Sequence, residues 1–450
     1  MKKLFGTDGI RGVAGEFPLD ATTVFRLGAE LGNFLLRSNA KARVVVGRDT
    51  RASGVWMEEG LLDGLACSGV TADAAGVFTT PGVSFLTRTL GCNAGVVISA
   101  SHNPYRDNGI KVFTESGMKM SGAAESRIES RLLQSSASPS RSYETGRRIP
   151  QMFFSNEPLR GRYQDFLCAA GDGGRRRYKI VADCANGAAF GIAPAVLRAL
   201  GHDVVGIHDQ PDGTNINVGG GAVHPDALCR AVLAHGADLG VAFDGDADRS
   251  IFADEGGEIV DGDHILYILA GYLKGRGKLV GNRIVTTSMA NIGLEIALRE
   301  QGIAMERTEV GDRYVLERML QLGLNLGGEQ SGHILLLDRS VAGDGILTAV
   351  EMLNVLQSSG KSLGDLAAPL KKLPQVLLNI SVSRKPDLSD VPSVRDAVEA
   401  ASVRLGDEGR VVVRYSGTEP VARVMIEGRR QDMIDLLAQQ IAQVIRNEIG

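Results

Sequence analysis

Short apolar runs of strand length alternate with stretches of helical period along most of the chain's 450 residues. This alternation constrains the fold more than any other feature, because it is met by helices packed on largely parallel sheets and not by a bundle or a sandwich. Residues 43–47 read as a buried strand, 55–68 as a helix and 95–99 as a second strand. A second unit opens with a strand at 178–182, continues through a helix over 187–200 and reaches a strand at 238–243. A third has helical periodicity over 262–273 and 313–322, then a short strand into a glycine-flanked polar loop. From near Pro374 the order changes to strand, helix, two strands and a closing helix from Gln431, the pattern of a small α+β domain. The expected fold is three consecutive α/β domains with mixed, largely parallel sheets and a smaller C-terminal α+β domain around a central cleft. Their spans are 1–150, 151–257, 258–372 and 373–450, and the first boundary falls in a Ser-, Arg- and Pro-rich stretch with little apolar periodicity. In such a fold ligands belong at the carboxyl ends of strands.

Composition narrows the function. A net charge of -4 is too small for a nucleic-acid or membrane partner held by bulk charge. The five cysteines, Cys67, Cys92, Cys168, Cys184 and Cys229, are odd in number and form no C-x-x-C pair, so neither a disulfide framework nor a thiolate zinc site is expected. Gly6-Thr7-Asp8-Gly9 stands where an export signal would need an apolar stretch, and no apolar run reaches the ~18 to 20 residues of a bilayer span. A cytoplasmic location is expected. With 57 glycines, the chain holds nearly twice the usual ~7%, which implies many tight turns or loops closely approached by a ligand.

Five polar constellations carry the chemistry. Asp244-Gly245-Asp246-Ala247-Asp248-Arg249 follows a strand and offers three alternate carboxylates, the hard oxygen donors of a divalent cation. Glu255 at the twelfth position would suit a calcium EF-hand loop, but Arg249 stands where such loops need glycine, and a solvated acidic turn is the plainer alternative. Ser99-Ala100-Ser101-His102-Asn103-Pro104 offers a hydroxyl on a proline-braced loop with Lys111 close behind; it could also be an Asn-Pro turn or, with His102, part of a hydrolase triad. Arg414-Tyr415-Ser416-Gly417-Thr418-Glu419-Pro420 combines a guanidinium fork, two hydroxyls and a glycine N–H, which suit a phosphate dianion but also a plain turn. Gly328-Glu329-Gln330-Ser331-Gly332-His333 could read sugar hydroxyls or hold a structural histidine, and the loop from Phe5 to Gly12 presents Arg11 among glycines.

Taken together and in order, these stretches resemble the α-D-phosphohexomutase superfamily, and within it the bacterial phosphoglucosamine mutase branch, over essentially the whole chain. Asp183-Cys184-Ala185-Asn186-Gly187 and Val310-Gly311-Asp312-Arg313-Tyr314-Val315 strengthen the likeness to that branch. Three departures stand out: Ala247 where glycine is frequent, Ala290 before Asn291 where serine is usual, and Gly219-Gly220-Gly221-Ala222-Val223-His224 in place of a Cys-Gly-Ser-Thr-His pattern. The resemblance implies that Ser101 carries a phosphoryl group and that Asp244, Asp246 and Asp248, with a phosphoserine oxygen, hold Mg²⁺. It implies exchange between glucosamine 6-phosphate and glucosamine 1-phosphate through a 1,6-bisphosphate, feeding UDP-N-acetylglucosamine and cell-wall precursors. Arg249 would neutralise charge, Arg11 would face the reacting phosphate, and Lys111 and His333 are the candidates for proton transfer. Glu329, Ser331 and His333 would read hydroxyls, while Arg414, Ser416, Gly417 and Thr418 would grip the distal phosphate. A hexosamine phosphate is then the partner, with no nucleic acid or membrane, and the chain a monomer or homodimer. The alternatives are a phosphomannomutase/phosphoglucomutase, a non-catalytic sugar-phosphate-binding protein and a metal-dependent phosphatase.

Overall fold

A computed structural model of the chain describes residues 4–6, 8–135, 137–139, 155–174, 176–416 and 420–450. The expected boundary near residue 150 lies outside the described residues. The chain forms two compact units, 1–288 with 306–367, and 289–305 with 368–450.

Among the described residues, the sheets of the first unit each join a parallel part to an antiparallel part. The six-stranded sheet pairs Arg43–Arg48 in parallel with both Thr71–Val77 and Ala94–Ile98, and Ala94–Ile98 then pairs antiparallel with Asp107–Thr114. All five residues of Ala94–Ile98 are buried, as a strand with helices on both faces requires. In the five-stranded sheet, Lys179–Asp183 runs parallel to Asp203–Ile207 and Leu239–Phe243, and Ser250–Ala253 adds antiparallel to Leu239–Phe243. In the third sheet, Arg283–Thr287 is parallel to Leu326–Gly328, which pairs antiparallel with Ile334–Leu336. The polar loops after Ala94–Ile98, Leu239–Phe243 and Leu326–Gly328 therefore all leave the carboxyl ends of parallel strands.

The second unit contains an all-antiparallel sheet of Gln375–Ser381, Val421–Gly428 and Gly409–Tyr415, covered by the helices Pro392–Leu405 and Gln431–Ile449. It also takes in the helix Ile292–Glu300, which the sequence reading assigns to the third domain. Asn291 explains why: its amide donates to Leu373 O at 3.0 Å and Glu427 Oε1 at 3.2 Å, and its Oδ1 accepts from Leu373 N at 3.0 Å. The helix expected over 187–200 also differs. It is broken into a 3-10 turn, Ala188–Gly191, and a helix, Ala193–Ala199, because Pro194 has no N–H to continue a ladder and fits only a first turn.

Not all the glycines serve turns or ligands. The helices Ala21–Leu36 and Ala52–Cys67 cross through Gly28 and Gly64, where a side chain on Gly64 would meet Phe25 O, the Ala29 N at 2.8 Å and the Gly28 Cα at 3.0 Å. Backbone lies against backbone, so nothing soft can yield. Gly64→Ala should destabilise the fold by about 1 to 3 kcal/mol despite alanine's better helix propensity. Urea unfolding will show this as a lower midpoint with unchanged slope.

Candidate active site

Ser101 follows Ala94–Ile98 in a left-handed conformation, φ 52°, and is 1% exposed. Its Oγ donates to Asp244 Oδ2 at 2.5 Å and lies 3.3 Å from His102 Nδ1. The nearer partner is thus the acidic triplet, 143 residues away in sequence. Gly245 allows this approach: a Cβ there would meet Ser101 O at 2.5 Å and Asn217 Nδ2 at 3.0 Å. Its role is close contact between two loops. The bend falls at Ala247, φ 58°, whose N–H closes a turn on Asp244 O at 3.0 Å. A left-handed alanine costs about 1 to 2 kcal/mol, which explains why glycine is frequent at such a position.

Asp244, Asp246 and Asp248 are buried, and each points one oxygen into a group whose atoms lie within 4.8 Å of one another. Burial and the charges of Asp248 and Asp246 push the Asp244 carboxyl well above its usual range. Three carboxylates so placed repel strongly unless a cation joins them. Asp246 Oδ1 is buried with no hydrogen-bond partner among the described residues, and the oxygen-only donor set fits a hard divalent cation. The EF-hand alternative fails, since the loop joins two strands and Glu255 accepts instead from Gly364 N at 3.1 Å.

Basic groups surround the triplet. Lys111 projects from the strand opposite Val97 and places Nζ 3.0 Å from Asp246, 3.5 Å from Asp248 and 3.4 Å from Asp8. Burial would lower its pKa, but Asp246, Asp8 and Asp248 override this and hold it well above the usual lysine value. His333, 5% exposed, lies between Asp248 and Asp312, 3.7 Å from each. Burial would lower the imidazole too, yet Asp248, Asp312 and Glu329 raise it. Arg249 N donates to Asp244 Oδ1 at 3.2 Å, and its guanidinium Nε is 3.8 Å from Asp248. Glu329 accepts from Gly311 N at 3.2 Å, and burial raises its carboxyl. Ser331 sits half-buried in the same turn. Arg11 donates to Ala100 O and Asn103 Oδ1, both at 3.2 Å, and pairs with Asp8. A cavity of about 510 Å³ opens before these groups, lined in part by Asp8, Arg11, His102, Arg249, Glu329 and His333.

Sequence reasoning missed several members. Lys119 Nζ bridges Asp8 at 2.5 Å and Asp312 at 2.6 Å, tying the first strands of the chain to the helix Asp312–Leu322, whose first residue is the Asp312 partner of His333. Thr80 donates its hydroxyl to Asp246 Oδ2 at 2.6 Å and its N–H to Asp246 O at 3.0 Å. Asp8 lies in the loop singled out for Arg11 and Asp312 in a stretch noted for its resemblance, and their lysine and histidine partners are distant in sequence.

In the second unit, Arg414 lies opposite Arg423 near the end of a hairpin. Ser416 N donates to Val421 O at 2.8 Å, and its carbonyl accepts from Lys385 Nζ at 2.7 Å. Gly417 and Thr418 lie outside the described residues.

Four family descriptions match the chain in order: phosphoglucomutase/phosphomannomutase alpha/beta/alpha domain I over 2–138, domain II over 163–257, domain III over 261–373 and the C-terminal domain over 377–444. The fold is shared with a phosphoglucomutase/phosphomannomutase family protein of Burkholderia thailandensis, with a TM-score of 0.81 at 24% identity, covering 99% of this chain and 98% of that one. The sheets, the buried acidic triplet and these matches define a phosphohexomutase, an isomerase. The chain belongs to the phosphoglucomutase/phosphomannomutase family, in its phosphoglucosamine mutase branch: it is 46% identical over 449 residues to the phosphoglucosamine mutase of Solibacter usitatus, covering 100% of this chain and 99% of that protein, and 47% identical over 454 residues to that of Koribacter versatilis, covering 100% and 98%. Among the described residues no helix is long and apolar enough to cross a membrane.

Asp244→Asn removes one of three like charges. In chelator the variant should melt about 1 °C or more above the parent, a gain of about 1 kcal/mol. Added divalent cation should raise the parent's melting temperature and leave the variant's nearly unchanged, as scanning fluorimetry will show.

Proposed function

We propose that the protein interconverts glucosamine 6-phosphate and glucosamine 1-phosphate, with Ser101 as the phosphoryl carrier and a 1,6-bisphosphate as the intermediate. The observation that carries this reading is the Ser101 hydroxyl 2.5 Å from Asp244 at the edge of a buried carboxylate triplet. A phosphate on that oxygen brings a charge of about -1.5 to -2 against three carboxylates. Mg²⁺ is the fitting cation, with Asp244, Asp246, Asp248 and a phosphoserine oxygen as ligands; when bound it neutralises this charge and polarises the phosphate.

Phosphoryl transfer needs positioning and charge neutralisation more than covalent help. In the forward half-reaction a sugar oxygen bonds to phosphorus and loses its proton while the P–Oγ bond of Ser101 breaks and Oγ takes up a proton. The bisphosphate turns over, and Ser101 Oγ takes the other phosphate and loses that proton as the departing sugar oxygen gains one. Neighbouring carboxylates raise both Lys111 and His333 and so favour their charged forms, which suits proton donation and anion neutralisation. Arg11 and Arg249 flank the cavity as phosphate partners. Glu329, Ser331 and His333 are assigned to the sugar hydroxyls, and Arg414, Ser416, Gly417 and Thr418 to the distal phosphate. The same reading keeps four domains, 1–150, 151–257, 258–372 and 373–450, and takes the cytoplasm as the location.

Ser101→Ala should lower turnover by more than about 1,000-fold, and peptide mass spectra of active parent enzyme should carry one phosphate on the Ser101 peptide. Normal turnover in the variant would overturn the carrier role. Substrate class is tested by rates on glucosamine, glucose and mannose 6-phosphates measured side by side. The highest kcat/KM is expected on the amino sugar; a higher value on either neutral sugar would assign the chain to phosphomannomutase/phosphoglucomutase chemistry, and phosphate release without isomer would assign it to a phosphatase.

A further inference from the structure

The Ser101 peptide is anchored on both sides. On the amide side, Ser101 N donates to Ser99 Oγ at 2.9 Å, and Ser99 Oγ donates to Asp49 Oδ2 at 2.5 Å. On the carbonyl side, Ser101 O accepts from Arg51 Nη2 at 3.2 Å and from Asn217 Nδ2 at 2.9 Å. The same two groups also reach Asn103 O, at 2.6 Å from Arg51 and 3.2 Å from Asn217. Arg51 is paired with Asp49 and is 0% exposed, as is Asp49. One buried carboxylate thus organises both ends of the peptide, through a hydroxyl on one side and a guanidinium on the other. Asn217 completes the grip from a loop about 115 residues further along, and its own backbone is held by a bond to Ala185 O at 2.8 Å.

This arrangement has a purpose that packing does not supply. A non-glycine residue at φ 52° is strained, and it persists only where the surroundings over-determine it. If Ser101 relaxed to an ordinary φ, its Oγ would swing away from Asp244. Ser99, Asp49 and Arg51 are 0% exposed, and the Asn217 amide donates to the Ser101 and Asn103 carbonyls, so these groups face the Ser101 backbone rather than open space.

We infer that Asp49, Ser99, Arg51 and Asn217 are positioning residues that lock the Ser101 backbone in its left-handed form, and so aim its oxygen at the acidic triplet. This rests on the carrier role of Ser101 proposed above. Loss of one anchor loosens the aim of the oxygen while leaving substrate contacts intact, and a misplacement of about 1 Å costs up to about a hundredfold in rate.

Replacing Asp49 would leave Arg51 buried without its counter-charge and threatens folding, so the test uses Asn217→Ala and Ser99→Ala, which cut the carbonyl-side and amide-side anchors separately. Four quantities are read for each: kcat and KM on glucosamine 6-phosphate, the rate at which Ser101 gains phosphate from glucose 1,6-bisphosphate by intact-protein mass, and the melting temperature. Each variant should lose about tenfold to a hundredfold in kcat and in phosphorylation rate, with KM and melting temperature close to the parent's. The double variant should lose less than the product of the single losses, since both act on one backbone conformation. An unchanged kcat in both variants, a loss confined to KM, or a loss matched by the fraction unfolded would each overturn the inference. If the parent itself never gains phosphate on Ser101, the carrier role fails and this inference falls with it; a phosphorylated parent with unaffected variants sinks the inference alone.

Discussion

Three carboxylates packed within one buried loop form the constraint around which the first unit is arranged. Left alone in a poorly polarisable interior they would protonate or force the loop open, because the repulsion between them is not screened by water. The surrounding groups answer that charge: Lys111, Arg249 and His333 each face at least one of the three, and Thr80 donates twice to Asp246. Lys119 extends the pattern outward by neutralising Asp8 and Asp312, which in turn hold Lys111 and His333. The result is an alternation of sign that reaches from the first strands of the chain to residue 333. Such a lattice of charge gives little net stability, since desolvation offsets most of the attraction, but it fixes where each group points.

Much of this arrangement was legible in the residues themselves. The buried strand before Ser101 and the strand before Asp244 announce themselves as short apolar runs ending in polar loops. Their parallel pairing within each sheet puts those loops at carboxyl ends, where a ligand belongs. Alternate aspartates speak for a hard cation without any coordinates. What could not be read were the partners set by tertiary approach. Asp8, Lys119 and Asp312 lie in three separate stretches, and no local spacing connects them. Asp49 and Arg51 had a usable signal, since Gly47-Arg48-Asp49-Thr50-Arg51 places three charges directly after a buried strand. Charges that close to a core need partners inside it.

Glycine illustrates the same limit. The composition suggests tight turns and ligand contacts, and Gly245 does make a close approach, but to the Ser101 carbonyl. Gly28 and Gly64 instead let two helices touch along their backbones, a use that leaves no mark in local patterning because amphipathic helices elsewhere manage without it. Pro194 was the opposite case: a residue whose restriction is plain in the sequence and which duly broke the helix expected around it.

The excursion of residues 289–305 into the second unit has a consequence for dissecting the molecule. The polypeptide passes between the two bodies three times, so the smaller one is not an appendage that a single cut could release intact. A fragment beginning at 373 would carry Glu427, fully buried and paired with Arg410 at 2.7 Å, but would lack the Asn291 amide and the Ala290 carbonyl that complete the same network. Recombination or domain-shuffling that respected only linear boundaries would strand those polar groups in an apolar setting, which favours inheritance of the two bodies as one piece.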